Sequence, residues 1–331
     1  MRLLVTGAAG FIGSSFVRHR LERDPDEHVV ALDLLTYAGD RRNLDGLDVR
    51  LVEGDIGDLD LVARVLAEER LDTIVNFAAE SHNSLAVVDP ERFFRTNVLG
   101  TQALLEAARR HGVSRFHHVS TCEVYGELPL DSDAAFTEQS PYRPRTPYNA
   151  SKAAADHAVR AYCATYALPA TITCSSNVYG PRQFPEKLIP LFATNALDDV
   201  PLPLYASIEN RREWLHVSDC CRAIALVLRE GRPGETYNVG SGEERSIDEI
   251  ADRVLALTGK PESLKTLVPD RPGHDRRYLL DSSKLRDELG WGPEIAFDDG
   301  LAETVDWYAG NRAWWQPLKE RAPIAEASAW G

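Results

Sequence analysis

Two short stretches in the middle of the chain carry side chains that can move protons and hydride. Thr121, Cys122 and Glu123 lie in "HVSTCEVYG", which reads as the end of a buried strand running into a turn, and Tyr148 and Lys152 lie four residues apart in "PYNASK". That spacing places Tyr148 and Lys152 on one face of a helix. An ammonium group beside a phenol, near a further cationic ring, would lower the phenol pKa from about 10. The phenolate could then take a hydroxyl proton while hydride leaves the same carbon.

A glycine-rich turn near the N-terminus predicts a dinucleotide site. The motif "TGAAGFIG" places Gly7, Gly10 and Gly13 between a strand and a helix. Glycine lets the backbone approach a pyrophosphate, and the N-terminus of the following helix favours its negative charge. Asp33 ends the second strand 20 residues after Gly13. A carboxylate there can bind the ribose hydroxyls and repel a 2′-phosphate, which favours NAD over NADP. A tight turn without a ligand and a simple cap at Asp33 are the alternatives.

The elements that must position these residues alternate between apolar strands and amphipathic helices. Such alternation is typical of βαβ units, so the fold class is predicted to be α/β with a doubly wound parallel sheet, a Rossmann-type NAD domain. Asp55 and Ile56 follow the third strand, where an adenine could dock. The predicted strands cover 2–7, 28–33, 49–55, 72–78, 115–120 and 170–175, and the predicted helices cover 11–23, 91–111 and 148–167.

The regular alternation loosens after about residue 176, where proline-rich loops appear between shorter elements. The sequence therefore predicts an NAD-binding domain over 1–176 and a smaller α/β substrate domain over 177–331 at the carboxyl edge of the sheet. Some later segments are expected to return to the first domain. The end of the chain from about Pro317 is weakly patterned.

Composition excludes several classes of protein. The 331 residues carry a net charge of −14, which argues against non-specific binding to nucleic acid or to an anionic membrane. No apolar run reaches 18 residues, so no membrane span is expected. Five cysteines without a CxxC spacing favour reduced thiols in the cytoplasm and give no metal site.

Together, "TGAAGFIG", a Ser/Thr after the fifth strand and "YNASK" resemble the extended short-chain dehydrogenase/reductase superfamily. The chain most resembles its nucleotide-sugar 4,6-dehydratases, in particular those that act on dTDP-glucose. The resemblance covers nearly the whole chain through "LLTYAGDRRNL", "FAAESH", "TNVLGTQALLEAA", "PEKLIPLF", "REWLHVSD" and "RPGHDRRY". The last three motifs lie in the predicted substrate domain and are more specific than the glycine turn.

The resemblance implies a set of site residues, a reaction and an assembly. Tyr148 and NAD would oxidise the sugar C4, Glu123 would remove the C5 proton as the C6 hydroxyl leaves, and hydride would return to C6. The helices near 91–111 and 148–167 carry apolar residues on more than one side, and the resemblance implies that they pair into a homodimer. These residues are Phe93, Phe94, Leu104, Leu105, Tyr162 and Tyr166. The NAD site would comprise Gly7, Gly10, Phe11, Ile12, Gly13, Asp33, Thr36, Asp55, Ile56, Ala78, Ala79, Asn97, Tyr148 and Lys152. The nucleotide-diphosphate sugar would be bound by Ser81, His82, Asn177, Lys187, Leu188, Arg212 and His274.

The chain departs from the family pattern beside the sugar. The family reads Thr-Asp-Glu where this chain has Thr121-Cys122-Glu123, so a thiol replaces the acid that assists the leaving hydroxyl. A thiol is almost fully protonated at pH 7 but is a weak hydrogen-bond donor, and Cys122 could also be only a small buried apolar residue. After "ESH" the family usually continues Val-Asp-Arg-Ser, but here Asn83 opens "NSLA". The family's paired Asn before Tyr-Gly-Pro is Asn177-Val178.

These departures leave alternatives to a nucleotide-sugar dehydratase of the dTDP-glucose 4,6-dehydratase type. One is a C4 or C5 epimerase that uses the same ketone without expelling water. Another is a 5,6-dehydratase, because Thr-Cys-Glu also resembles the motif of a nucleotide-sugar 5,6-dehydratase that makes an exocyclic alkene. A third is a cofactor-bound regulator or redox sensor with Cys122 as its thiol, although the intact catalytic set opposes it.

Overall fold

A seven-stranded parallel sheet forms the centre of the protein. The computed structural model describes residues 1–321. Its strand order is β3-β2-β1-β4-β5-β6-β10, and neighbouring strands are parallel throughout. The strands of the described residues are β1 Arg2–Thr6, β2 His28–Asp33, β3 Arg50–Glu53, β4 Thr73–Asn76, β5 Arg115–Thr121, β6 Ala170–Ser175, β7 Asn177–Tyr179, β8 Leu202–Tyr205, β9 Arg211–His216, β10 Thr236–Val239, β11 Glu244–Ser246 and β12 Lys265–Val268.

Helices cover both faces of this sheet, as a buried parallel sheet requires. A short 3₁₀ turn, Cys122–Tyr125, follows β5 directly. The helices are α1 Phe11–Arg23, α2 Leu59–Glu68, α3 Asn83–Val88, α4 Pro90–Phe93, α5 Thr101–His111, α6 Pro147–Tyr166, α7 Leu188–Leu197, α8 Val217–Glu230, α9 Ile247–Thr258, α10 Ser283–Leu289, α11 Phe297–Gly310 and α12 Arg312–Arg321.

The strand order reverses direction between β1 and β4, and this reversal decides where a ligand can lie. Loops after β1 and β4 leave toward opposite faces, so a crevice opens at the carboxyl ends of the strands. Gly7 follows β1 and Ala78 lies just beyond β4, on the two sides of that crevice. The predicted α/β fold with a doubly wound sheet is confirmed.

The strands predicted from the sequence agree with the structure to within a few residues, but the long helix predicted over 91–111 is not one regular α-helix. A π-helical segment, Phe94–Gly100, separates α4 from α5. π-Helical turns are rare and frequently occur near functional sites. Here the segment carries Thr96 into the cleft wall.

The later part of the chain forms a second layer at the carboxyl edge. It contains a three-stranded sheet, β11-β9-β7, and a two-stranded sheet, β12-β8, with a separate apolar core beneath them. β10 pairs with β6 in the central sheet although it follows residue 177. The weakly patterned end predicted from Pro317 is helical to Arg321. The domain boundaries stay a prediction, and residues 322–331 of the second one lie outside the described part of the chain.

Candidate active site

The glycine-rich turn brings the backbone of β1 against that of β4. Gly7 has a φ of +62°, and a Cβ there would lie 2.6 Å from the Ala78 nitrogen. A Cβ at Gly13 would lie 2.2 Å from the Gly7 carbonyl oxygen. Only glycine permits such close approach, and the result is a shallow cradle at the start of α1. This is the geometry that the sequence predicts for pyrophosphate binding.

Asp33 closes the same end of the cleft. Its two carboxylate oxygens accept N–H bonds from Ala9, at 2.9 Å, and from Leu35, at 2.8 Å. Burial raises the pKa of this carboxyl group, and these backbone donors oppose the rise. The carboxylate therefore fixes both the glycine turn and the loop after β2, and it lies in the cleft wall where a ribose would lie.

Tyr148 and Lys152 lie in the first turns of α6, which Thr146 caps and Pro147 begins. Burial and the nearby Glu123 carboxylate raise the pKa of Tyr148, whereas the Thr121 hydroxyl lowers it. The groups of the chain alone therefore do not produce the lowered phenol pKa expected from the sequence. Desolvation of the buried phenol outweighs the charges around it, so its pKa is raised. The expected lowering of the Tyr148 pKa therefore depends on a cationic ring bound beside the phenol.

Lys152 is held from the strand side of the cleft. Its ammonium group donates to the Val119 carbonyl oxygen at 2.7 Å and lies 3.3 Å from Nε2 of His118. Burial lowers its pKa to about 8, and the buried Asp156 carboxylate opposes that change. Lys152 can therefore both carry charge and exchange a proton near neutral pH.

Glu123 lies in the 3₁₀ turn that follows β5, with its backbone N–H donating to the Thr121 hydroxyl at 3.3 Å. Its carboxylate accepts a 2.9 Å bond from the side-chain amide of Asn83. Burial raises its pKa, and Asn83, Arg271 and Arg212 each act against that rise. A buried carboxylate with a raised pKa is suited to serve as a general base.

Cys122 lies in the protein core, although its two neighbours line the cleft. Its side chain is 1% exposed and belongs to the same apolar cluster as Val124 and Leu128. Burial, followed by the charge on Glu123, raises its pKa well above the usual range for a thiol. The thiol is therefore protonated at neutral pH but does not line the cleft, so a catalytic role for Cys122 stays a prediction.

One cleft of about 330 Å³ gathers most of the residues predicted from the sequence. It runs from the glycine turn to β7 and the start of α7, across the carboxyl edge of the sheet. The predicted residues in its wall are Gly7, Gly10, Phe11, Ile12, Gly13, Asp33, Thr36, Asp55, Ile56, Ala78, Ala79, Ser81, Thr121, Glu123, Tyr148, Lys152, Asn177 and Lys187.

Other predicted residues lie next to this wall rather than in it. The Asn97 side chain is bonded to the backbone of Glu80 at 2.9 and 3.0 Å, so it fixes the loop after β4. His82 caps α3, and burial beside Lys187 lowers its pKa to about 3. Leu188 begins α7.

Arg212 and His274 lie close to each other and form a second group beside the cleft. Arg212 donates to the Asp275 carbonyl at 2.6 Å and lies over the Tyr278 ring at 4.6 Å. Burial and the nearby Arg212 lower the pKa of His274 to about 3. Arg212 does not line the main cleft, but its charge acts on Glu123, and His274 lies near Arg212.

Sequence reasoning missed Arg271 and Glu186. The Nε of Arg271 is buried and has no hydrogen-bond partner among residues 1–321, although the charge of Arg271 acts on Glu123. Glu186 lines the cleft and accepts a 2.9 Å bond from the Tyr37 hydroxyl. Arg271 opens the "RPGHDRRY" motif and Glu186 directly precedes Lys187, so attention to the neighbours of predicted residues would have found both.

Comparisons with known proteins decide the family. The model of the GDP-mannose 4,6 dehydratase family matches residues 4–304. The chain belongs to this family. A dTDP-glucose 4,6-dehydratase of Streptomyces niveus is 51% identical over 327 residues, which are 96% of each chain. The resemblance to the nucleotide-sugar 4,6-dehydratases is thereby confirmed.

Solved structures agree with the family assignment. DesIV, a dTDP-glucose 4,6-dehydratase from Streptomyces venezuelae crystallised with NAD and TYD, has a TM-score of 0.93 and 51% identity, over 96% of this chain and 100% of its own. The UDP-glucose 4-epimerase of Thermus thermophilus, complexed with NAD, has a TM-score of 0.88 and 36% identity, over 94% of this chain and 100% of its own. Within residues 1–321, the family member has no helix long and apolar enough to cross a membrane.

Proposed function

We propose that this protein is an NAD-dependent nucleotide-sugar dehydratase that converts dTDP-glucose to a 4-keto-6-deoxy sugar. One observation carries the proposal: a single cleft contains a glycine turn with Asp33 at one end and Thr121, Glu123, Tyr148 and Lys152 at the other. The curated dehydratases, about half identical over nearly the full length, support the same reaction.

The cofactor end fits NAD. The close approach of Gly7 and Gly13 forms a tight turn at the start of α1, whose N-cap Gly10 places no side chain over the helix N-terminus that would face a pyrophosphate. Asp33 presents a carboxylate where a 2′-phosphate would be repelled. When bound, NAD supplies the site that accepts hydride from the sugar and later returns it.

The chain's own residues account for the proton transfers. Tyr148 takes the C4 hydroxyl proton as C4 becomes a ketone, and the buried Lys152 ammonium lines the same cleft. The ketone acidifies the C5 hydrogen, which Glu123 removes while the C6 hydroxyl departs as water. Glu123 is then a carboxylic acid beside that leaving group, so it can give the same proton to the hydroxyl although Cys122 is buried in the core. C5 takes its new proton from water as hydride returns to C6.

Arg212 and Lys187 fit the nucleotide half of the substrate. The Lys187 ammonium lines the cleft and donates to the Ser81 carbonyl at 2.8 Å. The Arg212 guanidinium is buried near Glu123 and is held by backbone carbonyl groups. Cations fixed in this way favour binding of a pyrophosphate, which carries charge at neutral pH.

Mass spectrometry and NMR of the product test the proposal. With a panel of dTDP-, UDP- and GDP-sugars, we expect dTDP-glucose to lose one water and gain a C6 methyl group. A product of unchanged mass would establish the epimerase instead. Loss of water with an exocyclic methylene group would establish 5,6-dehydration, for which Thr-Cys-Glu is the favouring observation. No product from any of the sugars would contradict all three reactions.

A homodimer is part of the proposal. Phe93, Leu104 and Leu105, which the sequence offered as evidence for pairing, are buried within the chain itself. Phe94, Leu99 and Tyr166 remain on the surface of the π-helical segment and α6, with 42%, 63% and 53% of their area exposed. A second copy of the chain would cover them. Sedimentation should therefore show a dimer at micromolar concentration, and a monomer there would contradict the proposed dimer.

The five cysteines all carry free thiols, which fits a cytoplasmic site of action.

A further inference from the structure

We propose that Asn83, held by the Thr146 hydroxyl, is a positioning residue that orients the Glu123 carboxylate for removal of the C5 proton. Asn83 directly follows the "ESH" stretch, and its side-chain amide can donate a hydrogen bond. The inference rests on the proposed function, because it assigns Asn83 a role in one step of that reaction.

The direction of each hydrogen bond follows from the capping of α6. The Thr146 oxygen accepts the Asn149 N–H at 3.2 Å, so its own hydrogen is available to the Asn83 carbonyl oxygen at 2.9 Å. That contact fixes the orientation of the amide. Its nitrogen then faces Glu123, 2.9 Å from Oε2, and donates to the carboxylate.

The same contacts hold Asn83 to rigid parts of the fold. Asn83 is the first residue of α3, whose N-terminus the His82 ring caps by accepting the Leu85 N–H at 3.0 Å. Thr146 is the N-cap of α6, the helix that carries Tyr148. One hydroxyl group thus ties the helix that bears the phenol to the carboxylate that removes the C5 proton.

The side-chain amide of Asn83 influences the pKa of Glu123. Burial raises the pKa of Glu123, and the hydrogen bond from Asn83 is the largest influence against it. Other charged and titratable groups also face Glu123 from neighbouring elements. Arg271 and Arg212 favour the ionised form, while Asp275, Tyr148, Tyr278 and Cys122 lie close enough to disfavour it when they are charged.

Loss of the amide donor should therefore change a pH profile. Glu123 acts as a base only when ionised, so the rate of C5 proton removal rises as the pH rises through its pKa. Without the donor that pKa is higher, and the acid limb moves toward higher pH. A shift of about one pH unit corresponds to about a tenfold lower rate on that limb.

The test is the pH dependence of solvent deuterium incorporation at C5, measured with dTDP-glucose and NAD-loaded enzyme. Asn83→Leu should move the acid limb upward by about one unit. Asn83→Asp should move it further, because a second carboxylate beside Glu123 also repels it. Thr146→Val should also move the acid limb toward higher pH. Thr146→Ser keeps the hydroxyl group, so its pH profile should match that of the wild type.

Three outcomes separate the possible failures. An acid limb that stays in place in folded Asn83→Leu enzyme would overturn the role of Asn83. Equal shifts in the Leu and Asp variants, or no rescue by Thr146→Ser, would mean that Asn83 only packs and would overturn it as well. If wild-type enzyme incorporates no deuterium at C5 from any nucleotide sugar, the proposed function itself fails and this inference fails with it.

Discussion

Replacing Asp33 with asparagine tests the cofactor assignment without changing the size of the side chain. The wild-type carboxylate accepts two backbone N–H bonds, from Ala9 at 2.9 Å and Leu35 at 2.8 Å, and lines the cleft. An asparagine oxygen can accept only from one side, so its amide nitrogen would face the other N–H group. Both the charge that repels a 2′-phosphate and one support of the glycine turn are lost.

The expected loss of NAD affinity follows from the hydrogen bond between the Asp33 carboxylate and the ribose hydroxyl groups, which loses its charged acceptor. A hydrogen bond to a charged group contributes roughly 1.5–3 kcal/mol, and about 1.4 kcal/mol corresponds to a tenfold change in affinity. Asp33→Asn should therefore weaken NAD binding by about 10- to 150-fold. The preference for NAD over NADP should narrow as well. In the wild-type protein, lowering the pH through the raised pKa of Asp33 neutralises the carboxylate, so the preference for NAD over NADP should decrease there as well.

Calorimetry with NAD and NADP measures both effects. Asp58→Asn is the matched control, because Asp58 also accepts a backbone N–H, from Leu61 at 2.9 Å, but only caps α2. It should leave both affinities within about twofold, well below the loss expected for one charge-assisted bond. Equal wild-type affinity for NAD and NADP, or an unchanged NAD affinity in Asp33→Asn, would refute the reasoning.

The remaining predictions separate the chemical steps. Tyr148→Phe should abolish the transient NADH absorbance on addition of substrate, and persistence of that signal would remove Tyr148 as the C4 base. Glu123→Gln should still permit reduction of NAD but slow C5 deuterium incorporation by about 10²–10⁴-fold, the usual cost of losing a general base. Because Cys122 is buried in the core, Cys122→Ala should keep turnover within a few-fold, and a larger loss would restore the thiol to the mechanism.

The sequence predicts the central sheet well because its signals are local. β1, β2, β4, β5 and β6 are almost wholly buried, and β1 and β2 are short apolar runs bounded by turn residues. Gly7 and Asp33 could be predicted for the same reason. In a dinucleotide-binding fold, the glycine turn after β1 and the carboxylate at the end of β2 lie at a regular spacing along the sequence.

Features that depend on packing between distant parts of the chain could not be predicted from local sequence patterns. No local pattern distinguishes a thiol in the cleft from a thiol in the core, and Cys122 is turned into the core while Thr121 and Glu123 face the cleft. The π-helical segment within the predicted 91–111 helix likewise has no periodicity of its own. Asn83 was recognised only as a departure from the family, because its partners Thr146 and Glu123 are 63 and 40 residues away.

The identity of the product from dTDP-glucose tests the central claim most directly. The enzyme, supplied with NAD, should convert this sugar to a product lighter by one water, and carbon NMR should show a ketone at C4 and a methyl group at C6. With solvent deuterium, the label should appear at C5. A product with the mass of the starting sugar, or one in which C6 carries a methylene double bond, would contradict the account.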